Sequence, residues 1–400
     1  MNTLKLAILG FGNAGRAFAR ILLDKHEQIK REYHCDVQVT AITTGSRGAL
    51  LAPWALNAGQ QGNGDLRLPA SGQADAIKAQ PGGKQPINAD QLTACKQQAG
   101  PDAGAWAGIH LAEAIRQMEE DGRFDPAQEG FSAMDSMGVL AETDYDVAIE
   151  LTPLEIFSGQ PAITHLRTAM ERGKHAITAN KGPIAWAFDE LAALAKEKSV
   201  LFYYETTVMD GTPIFNLVDE TLKYCKVTEV SGILNTTTNF VLEELAKGIP
   251  YNEVMEEGRR RGFVEADPSM DMDGWDAAAK TAALLNVLMK AGITPKDIDR
   301  TGISNITSQD IKNAEKRGCL IKLLCRGTIE NGRVAGAVKP TEVPRDQILA
   351  HIGGTSSVVS ITTDLMGKLT LIEHDPEIQQ TGYGIFSDLM RVITHCGKFA

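Results

Sequence analysis

One stretch of the chain, residues 262–280, concentrates side chains that could carry out acid–base chemistry. Its charged residues are Glu265, Asp267, Asp271, Asp273, Asp276 and Lys280. If the end of this stretch is helical, Asp276 and Lys280 stand four apart and share a face. Asp276 can then hold the Lys280 ammonium in place and keep it protonated. Carboxylates that converge on one amine make this stretch the first candidate for a catalytic site.

The residue types around this stretch predict a helix that begins near Asp273. Pro268 and Gly274 disfavour an earlier start, whereas residues 277–289 are rich in strong helix formers and are followed by Lys-Ala-Gly. Asp271 or Asp273, at the positively polarised start, could cap this helix. The alternative is a solvated surface helix with an ordinary ion pair, and spacing alone leaves both interpretations open.

The composition is that of a globular protein with two or three domains. The chain has 400 residues, of which 43% are hydrophobic, and this suffices for sizeable cores. A net charge of −11 argues against a surface for nucleic acid or anionic membranes. No apolar run approaches the ~18 residues of a spanning helix, and the N-terminal residues are typical of a strand rather than a signal peptide. We therefore expect a cytoplasmic protein with neither nucleic acid nor a membrane among its partners.

The N-terminal segment has the pattern of a dinucleotide-binding unit. An apolar run at residues 4–9 and a helical pattern at residues 16–24 flank a glycine turn. The residues of that turn are Gly10, Phe11, Gly12, Asn13, Ala14 and Gly15. Gly10 permits the tight turn, Gly12 lets the backbone approach a pyrophosphate, and Gly15 lets the helix pack on the strand. The alternative is a glycine turn without a ligand, but the strand before it and the helix after it favour nucleotide binding.

The end of a second predicted strand, residues 36–43, bears on the choice of cofactor. An acidic residue there binds the ribose 2′-hydroxyl of NAD, whereas an arginine accommodates the 2′-phosphate of NADP. The sequence has Thr-Thr-Gly-Ser-Arg, which ends at Arg47 and contains no acid. It therefore favours NADP, with Arg47 and Ser46 on the phosphate. The alternative is a solvent-facing Arg47, which leaves NAD open.

Strands and helices alternate through the rest of the first half. Strands are predicted at residues 145–152, 175–180 and 200–205, and helices at residues 109–120, 162–172 and 187–198. This alternation implies a parallel, doubly wound sheet whose ligand lies beyond the carboxyl ends of the strands. Thr152 and Lys181 fall at such ends. Lys181 is thus a second candidate for contact with a reacting carbonyl oxygen, and an ordinary surface lysine is the alternative.

The second half has the pattern of a mixed domain. A strand followed by a polar turn is predicted at residues 227–239, strands at 302–303, 321–329, 333–338 and 369–374, and helices at 214–221, 251–261, 276–291 and 384–393. We therefore predict an α/β protein whose doubly wound Rossmann domain comprises residues 1–210, with residues 375–400 returning to it. Residues 211–374 form a second, α+β domain for catalysis and dimerisation. The Gly- and Gln-rich residues 53–104 are typical of an irregular excursion.

Five sequence motifs together resemble those of one enzyme family. They are Gly-Phe-Gly-Asn-Ala-Gly at residues 10–15, Thr-Ala-Asn-Lys-Gly-Pro at 178–183, Glu-Thr-Thr-Val-Met-Asp-Gly-Thr-Pro-Ile at 205–214, Ser-Gly-Ile-Leu-Asn-Thr-Thr-Thr-Asn at 231–239 and the block at 262–280. In this order, along nearly the whole chain, they resemble homoserine dehydrogenase in its short form without kinase or regulatory domain. The resemblance implies NAD(P)H-dependent reduction of L-aspartate 4-semialdehyde to L-homoserine, a step toward threonine, methionine and isoleucine. It also implies a homodimer or a higher homo-oligomer.

The resemblance implies roles for individual residues. Lys280 would donate a proton to the aldehyde oxygen, Asp276 would be its partner, and Lys181 would lie between nicotinamide and substrate. The residues at the substrate's amino end would be Glu265, Asp271 and Thr237. These roles suit the chemistry, because hydride transfer to an aldehyde leaves negative charge on oxygen that a nearby acid must neutralise.

The family's turn after the last Rossmann strand can bind a monovalent cation. Matching positions would surround sodium largely with main-chain oxygens, and they are Glu205, Val208, Asp210 and Thr212.

Two departures from the family pattern concern Thr236, where a glycine is usual, and residues 373–382, which replace a glycine-rich loop. They leave two alternatives: a non-catalytic nucleotide-binding relative, and a dehydrogenase for another small amino aldehyde.

Overall fold

The computed structural model describes residues 1–56, 108–262 and 264–395. Residues 57–104 of the predicted excursion lie outside these ranges. The described residues form two sheets, one in each half of the chain. None of the described helices has the length and apolar character that crossing a bilayer requires.

The first sheet is built from buried, mostly parallel strands. In chain order these are β1 (Asn2–Leu9), β2 (Cys35–Thr43), β3 (Ala49–Leu51), β4 (Phe131–Ser132), β5 (Val147–Glu150), β6 (His175–Thr178) and β7 (Phe202–Tyr203). Among the described residues their spatial order is β4-β3-β2-β1-β5-β6-β7, and the five strands from β2 to β7 run parallel. The apolar runs of β1 and β5 are buried on both faces, as a covered parallel sheet requires. The predicted doubly wound arrangement is confirmed.

Helices connect these strands and carry site residues at their N-termini. They are α1 (Asn13–Glu32), α2 (Leu111–Glu120), α3 (Ser136–Glu142), α4 (Ala162–Glu171) and α5 (Lys181–Lys198). The predicted helix at residues 187–198 is therefore only the second part of α5, which bends at Ala187. The correction matters because Lys181 lies in the first turn of this helix rather than in a loop.

The second sheet is largely antiparallel. Its strands are β8 (Val227–Ile233), β9 (Asp299–Arg300), β10 (Cys319–Glu330), β11 (Arg333–Pro344), β12 (Ser357–Thr363) and β13 (Gly367–Glu373). In the described part of the chain their order is β13-β12-β8-β10-β11-β9, and β9 pairs parallel to β11. The helices of this half are α6 (Thr236–Ala246), α7 (Tyr251–Arg261), α8 (Ser269–Met272), α9 (Trp275–Met289) and α10 (Ser308–Lys316). Leu285 of α9 packs closely over Gly327 and Gly336, so glycines let this helix approach the sheet.

The final helix, α11 (Ile378–His395), returns to the first sheet. It packs against α1, where a Cβ on Gly382 would lie 2.7 Å from the Ala17 backbone. The apolar side of α11 joins the core that contains Phe18 and Leu22. This helix begins earlier than the predicted residue 384, so its first turns come close to the N-terminal half of α1.

Two predictions around the 262–280 block are wrong. The helix α9 begins at Trp275, close to the predicted start, but neither Asp271 nor Asp273 caps it, because Gly274 takes the N-cap position in a left-handed conformation with φ +79°. No side chain caps α9, and the Asp273 carboxylate instead accepts a hydrogen bond from Ser304 at 3.0 Å. The strand predicted at residues 302–303 is also displaced to β9, since the Ile303 N–H donates to Met272 O and not to β11.

Other elements of the second half were predicted wrongly or missed. Residues 235–239, predicted as a polar turn, instead begin α6, because the Asn235 side chain accepts a hydrogen bond from Thr238 N and caps the helix. The predicted helix at 214–221 is a short π-helix, Leu217–Thr221. The strand β12 and the helix α10 were not predicted.

Candidate active site

The glycine turn lies between β1 and α1, as the sequence predicts. Gly10 has φ +97°, and a Cβ there would lie 2.5 Å from Leu151 O. A Cβ on Gly15 would lie 2.9 Å from Gly10 O, whereas a Cβ on Gly12 would have no atom within 4 Å. No side chain caps α1, so its first N–H groups remain available to a phosphate. The turn therefore fits a dinucleotide, with Gly12 facing the open side.

The other residues of the turn hold its shape. Phe11 is buried, and its carbonyl oxygen accepts a hydrogen bond from Arg16 at 3.2 Å. The Asn13 side chain accepts another from Arg16 at 2.7 Å, and Ala14 packs against the core of the first sheet. These contacts leave the backbone of the turn well defined before any cofactor binds.

Arg47 follows β2, at the carboxyl edge of the first sheet. Its side chain is exposed, and Nη1 donates a hydrogen bond to Gly122 O at 2.6 Å. Thr43, at the end of β2, accepts a hydrogen bond from Gly10 N, so this edge adjoins the glycine turn. The guanidinium is thus positioned near the expected adenosine ribose, and its contact with a 2′-phosphate stays a prediction.

A buried carboxylate, Glu150, ties the ends of β5 and β6 together. It accepts a hydrogen bond from Thr152 N at 3.0 Å and one from the Thr178 hydroxyl at 3.1 Å. The Asn180 side chain donates to Thr152 O at 3.1 Å and accepts from Gly182 N at 3.0 Å, which caps α5. Sequence reasoning missed Glu150 and the capping role of Asn180, although a carboxylate at the end of an apolar strand was a usable signal.

The two candidate lysines meet at one carboxylate. Lys181 Nζ lies 3.1 Å from Asp276 Oδ1, and Lys280 Nζ lies 3.7 Å from Asp276 Oδ2. Lys280 Nζ also donates to Leu234 O at 2.8 Å. Asn235 donates to Asp276 at 2.9 Å. The structure thus brings a residue that follows β6 and two residues of α9 into one cluster.

The electrostatics of this cluster keep Lys280 charged. Burial opposes ionisation of Asp276, but the Lys181 and Lys280 ammonium groups outweigh it and hold the pKa of Asp276 well below its ordinary value. Burial likewise disfavours the Lys280 ammonium. The carboxylates of Asp276, Asp210 and Asp271 outweigh that effect and raise the pKa of Lys280. Lys280 therefore retains its proton at neutral pH.

The residues predicted at the substrate's amino end are not equally close to this cluster. Asp271, in α8, accepts hydrogen bonds from Asn235 at 2.7 Å and from the buried Thr237 hydroxyl. Burial and the nearby Asp276 charge raise the pKa of Asp271. Glu265 is exposed in the segment before α8, outside the contacts that hold the cluster.

The turn predicted to bind sodium is tightly organised. Both carboxylate oxygens of the buried Glu205 accept backbone hydrogen bonds, from Ile214 N at 2.6 Å, Phe215 N at 2.8 Å and Asn216 N at 2.7 Å. Asp210 has φ +38° and accepts a hydrogen bond from the Thr381 hydroxyl at 2.6 Å. In the described ranges no three His, Cys, Asp or Glu side chains form a metal-binding group. The turn also contains Val208 and Thr212, and the cation that the resemblance implies here stays a prediction.

A further acidic residue, Glu373, adjoins this turn and the lysine cluster. It is the last residue of β13, and its carboxyl group lies beside Thr212 and near Lys280. Sequence reasoning noted only that residues 373–382 replace a glycine-rich loop. The position of Glu373 depends on the pairing of β13 with β12, which the sequence did not reveal.

A glycine turn for a dinucleotide and a lysine held charged by a carboxylate define a nicotinamide-dependent dehydrogenase. Residues 213–390 match the family model for homoserine dehydrogenase. Homoserine dehydrogenase from Methanocaldococcus jannaschii is 32% identical over 396 residues, which cover 99% of this chain and 100% of that protein. The NAD(+)-dependent homoserine dehydrogenase of Pseudomonas canavaninivorans is 30% identical over 98% of this chain and 97% of its own length. The chain belongs to the homoserine dehydrogenase family.

Solved structures agree with this assignment. The crystal structure of a putative homoserine dehydrogenase from Archaeoglobus fulgidus has a TM-score of 0.75 and 27% identity, covering 98% of this chain and 99% of that one. A hyperthermophilic archaeal homoserine dehydrogenase in complex with NADPH has a TM-score of 0.72, at 22% identity and 97% coverage of both chains, which supports the fold alone. The predicted fold class, a Rossmann domain followed by an α+β domain, is confirmed, and so is the family.

Proposed function

We propose that this chain reduces L-aspartate 4-semialdehyde to L-homoserine with NADPH, and that Lys280 is the proton donor. The observation that carries the proposal is Asp276, which holds Lys181 at 3.1 Å and Lys280 at 3.7 Å beside the carboxyl ends of β5 and β6. In a doubly wound sheet the ligand lies beyond these ends. The proton donor and the expected nicotinamide site are therefore neighbours.

The chemistry follows from the charge on Lys280. The bound cofactor supplies the hydride, and the aldehyde oxygen gains negative charge. The Lys280 ammonium, aligned by its hydrogen bond to Leu234 O, donates a proton to that oxygen. Asp276 opposes loss of this proton in the resting enzyme and keeps the amine in place. A positioned acid of this kind typically supplies about 10²–10⁴-fold in rate.

Lys181 supplies a second positive charge at the same place. The Asn180 cap fixes the first turn of α5, and Asp276 holds the Lys181 amine. We assign Lys181 to the space between nicotinamide and substrate, where its charge stabilises the same oxygen. Asp271, Glu265 and Thr237 are proposed for the substrate's amino end, because carboxylates form strong hydrogen bonds with an ammonium group.

The activity assay separates this function from its alternatives. Reduction of L-aspartate 4-semialdehyde and oxidation of L-homoserine are each followed by the absorbance of the reduced nicotinamide. A non-catalytic nucleotide-binding relative would show cofactor binding by titration but no turnover of either substrate. A dehydrogenase for another amino aldehyde would prefer that aldehyde in kcat/KM. Either result would overturn the proposal.

The preference for NADP is a separate part of the proposal. It is supported by Arg47, which lies near the expected ribose, and by the lack of an acidic residue among residues 43–47. The relatives include one named NAD(+)-dependent and one solved in complex with NADPH. Arg47→Ala should raise the Kd for NADPH at least ~10-fold and leave the Kd for NADH nearly unchanged, because it removes a charge-assisted contact to the 2′-phosphate alone. Equal changes in both constants would remove this argument.

Four further assignments belong to the proposal. Sodium at residues 205–212 would make activity depend on the monovalent cation supplied. The second sheet ends on the strands β9 and β13, which could pair with a second copy in a homodimer, and sedimentation would show the oligomeric state.

A place in threonine, methionine and isoleucine biosynthesis and a cytoplasmic location complete the assignment. Growth of a homoserine-requiring strain that carries this chain would test the pathway.

A further inference from the structure

Two consecutive residues, Leu234 and Asn235, connect β8 to α6 and contact the lysine cluster. Leu234 O accepts a hydrogen bond from Lys280 Nζ at 2.8 Å. The Asn235 side chain donates to Asp271 Oδ1 at 2.7 Å and to Asp276 Oδ2 at 2.9 Å. Neither the spacing of the residues nor the family resemblance assigns a role to Asn235, which is only 5% exposed. This short connection therefore contacts the proposed proton donor and two carboxylates near it.

The amide of Asn235 has partners at both of its ends. Its Oδ1 atom accepts hydrogen bonds from Thr238 N and from the Thr238 hydroxyl, each at 2.8 Å, and so caps α6. Its NH2 group has two N–H donors, and the two nearby carboxylates can only accept hydrogen bonds when they are ionised. The orientation of the amide is therefore determined, because the opposite orientation would set its oxygen against two carboxylates and its nitrogen against a backbone N–H.

The two carboxylates lie in different helices and repel each other. Asp271 belongs to α8, and Asp276 lies in the first turn of α9. Burial, and then the charge of Asp276, raise the pKa of Asp271, whereas hydrogen bonds from Asn235 and Thr237 lower it. Two carboxylates that share a site favour binding of a proton by one of them. A neutral group that donates one N–H to each lets both stay ionised close to each other.

Asn235 also fixes which oxygen of Asp276 faces each lysine. Asp276 Oδ1 lies 3.1 Å from Lys181 Nζ, whereas Oδ2 lies 3.7 Å from Lys280 Nζ. The shorter contact of Oδ2 is its hydrogen bond with Asn235, at 2.9 Å. Rotation of the carboxylate would break this hydrogen bond. Loss of the amide would therefore let Asp276 change its position relative to both amines.

We propose that Asn235 is a positioning residue, which holds Asp271 for the substrate's amino group and Asp276 for Lys280 at a fixed separation. The inference rests on the proposed function, in which Asp271 binds the substrate ammonium and Lys280 donates the proton. It makes substrate binding and proton donation depend on one amide group. The competing explanation is that Asn235 only caps α6. Capping requires the oxygen of the amide alone, whereas positioning requires its NH2 group.

The test uses two variants that keep a capping oxygen and lose the NH2 group. Serine and aspartate are about as favourable as asparagine at helix N-caps, so capping alone predicts wild-type kinetics for Asn235→Ser and Asn235→Asp. Positioning predicts that Asn235→Ser raises KM for L-homoserine and lowers kcat, each about 10-fold, as loss of a hydrogen bond to a charged group does. Asn235→Asp should lower kcat/KM further, because it adds a third carboxylate beside the other two. The Kd for NADPH should change less than about 2-fold in both variants, since neither carboxylate is assigned to the cofactor.

Double-mutant cycles show whether Asn235 acts through the two carboxylates. In an Asp271→Asn background, Asn235→Ser should change KM less than about 2-fold, because its effect on KM requires the Asp271 charge. In an Asp276→Asn background, it should change kcat less than about 2-fold for the corresponding reason. The control is Thr307→Ala, which removes the cap of α10. This variant should have a lower Tm and the KM and kcat of the wild type.

The outcomes separate this inference from the function on which it rests. If the wild-type enzyme does not oxidise L-homoserine, the proposed function fails and the inference fails with it. If the wild-type enzyme is active and Asn235→Ser keeps its KM and kcat, the inference alone is overturned. A change confined to KM or to kcat, or effects that simply add to those of Asp271→Asn and Asp276→Asn, would also overturn it. If Asn235→Ser does not fold, Asn235→Asp, which keeps the shape of the side chain, is measured and judged in the same way.

Discussion

An ion pair of 3.1 Å between Lys181 Nζ and Asp276 Oδ1 joins the first turn of α5 to the first turn of α9. The two residues are far apart in the sequence. Lys181 comes directly after β6 of the first sheet, whereas Asp276 lies between β8 and β9 of the second sheet. Both residues lie in the first turn of a helix, where the helix dipole favours negative charge and disfavours positive charge. The dipole therefore stabilises the Asp276 carboxylate and destabilises the Lys181 ammonium. The carboxylate therefore compensates Lys181 as well as Lys280, and loss of Asp276 should disturb both.

The first prediction concerns Asp276→Asn. The variant should lose about 10²-fold or more in kcat, because both amines lose the charge that positions them. Asp276 raises the pKa of Lys280, so its removal should lower that pKa, and activity in the reduction direction should decline at a lower pH than in the wild type. The pH dependence of kcat measures this.

The control for this variant is Asp273→Asn, an exposed change in the same segment. It should leave the pH profile of kcat in place. An unshifted alkaline limb in Asp276→Asn would show that Asp276 does not set the protonation of Lys280.

The second prediction concerns Gly12→Ala. A Cβ at Gly12 meets no atom within 4 Å, so the variant should fold with an unchanged Tm. Its methyl group stands where the pyrophosphate must approach, and the Kd for NADPH should rise at least ~10-fold. Gly10→Ala should instead lower the Tm, because Gly10 has φ +97° and its Cβ would lie 2.5 Å from Leu151 O. Normal cofactor affinity in Gly12→Ala would place the dinucleotide elsewhere.

The third prediction separates stability from positioning at Asn180. Removal of its cap in Asn180→Ala should destabilise the protein by about 1 kcal/mol, as is typical of helix N-caps. Asp135→Ala, which removes the cap of α3, should cost a similar amount. Only Asn180→Ala should also lower kcat, by roughly 10-fold, because a shift of the first turn of α5 misplaces Lys181. Denaturant unfolding and steady-state kinetics would measure the two effects, and equal kcat values in both variants would exclude a positioning role for Asn180.

The fourth prediction concerns the stability of the fold as a function of pH. Burial, and then the charge of Glu205, raise the pKa of the buried Asp388 to about 8, while Arg391 opposes this shift. An unfolded aspartate has a pKa of about 3.9, so the folded state binds this proton more tightly than the unfolded state does. The stability that this proton contributes is present at low pH and is lost as the pH rises from about 4 to about 8.

Asp388→Asn can keep the hydrogen bond from Glu205 N without the ionisation. Its Tm should therefore fall less than that of the wild type between pH 6 and pH 9, a range chosen to bracket a pKa of about 8. If the Tm of the two proteins changed with pH in parallel over this range, the claim that folded Asp388 is protonated below pH 8 would be contradicted.

The chemistry of the site was more readily predicted than its geometry. The glycine turn and the Asp276–Lys280 pair depend on local spacing, which a strand, a turn and a helix convert directly into contacts. The meeting of Lys181 with Asp276 depends on the packing of α5 against α9, and no local pattern encodes it. The sequence could therefore identify both lysines as candidates but could not show that they share a carboxylate.

The errors have similar causes. Gly274 was recognised as a helix breaker, but its left-handed conformation moved the start of α9 past the predicted capping residues. Glu150 was missed because its role comes from the order of the strands, which brings the ends of β5 and β6 together. Hydrogen-bonded caps such as Asn235 also turned a predicted polar loop into the start of a helix.

The central claim, that the Lys280 ammonium protonates the reacting oxygen, is tested most directly by single-turnover kinetics of Lys280→Ala. The enzyme is mixed with saturating NADPH and L-aspartate 4-semialdehyde, and oxidation of the cofactor is followed in one turnover. We predict that the rate falls at least ~10²-fold while the Kd for NADPH changes little, and that the exposed control Lys312→Ala behaves like the wild type. A Lys280→Ala rate within about 2-fold of the wild type would contradict the claim.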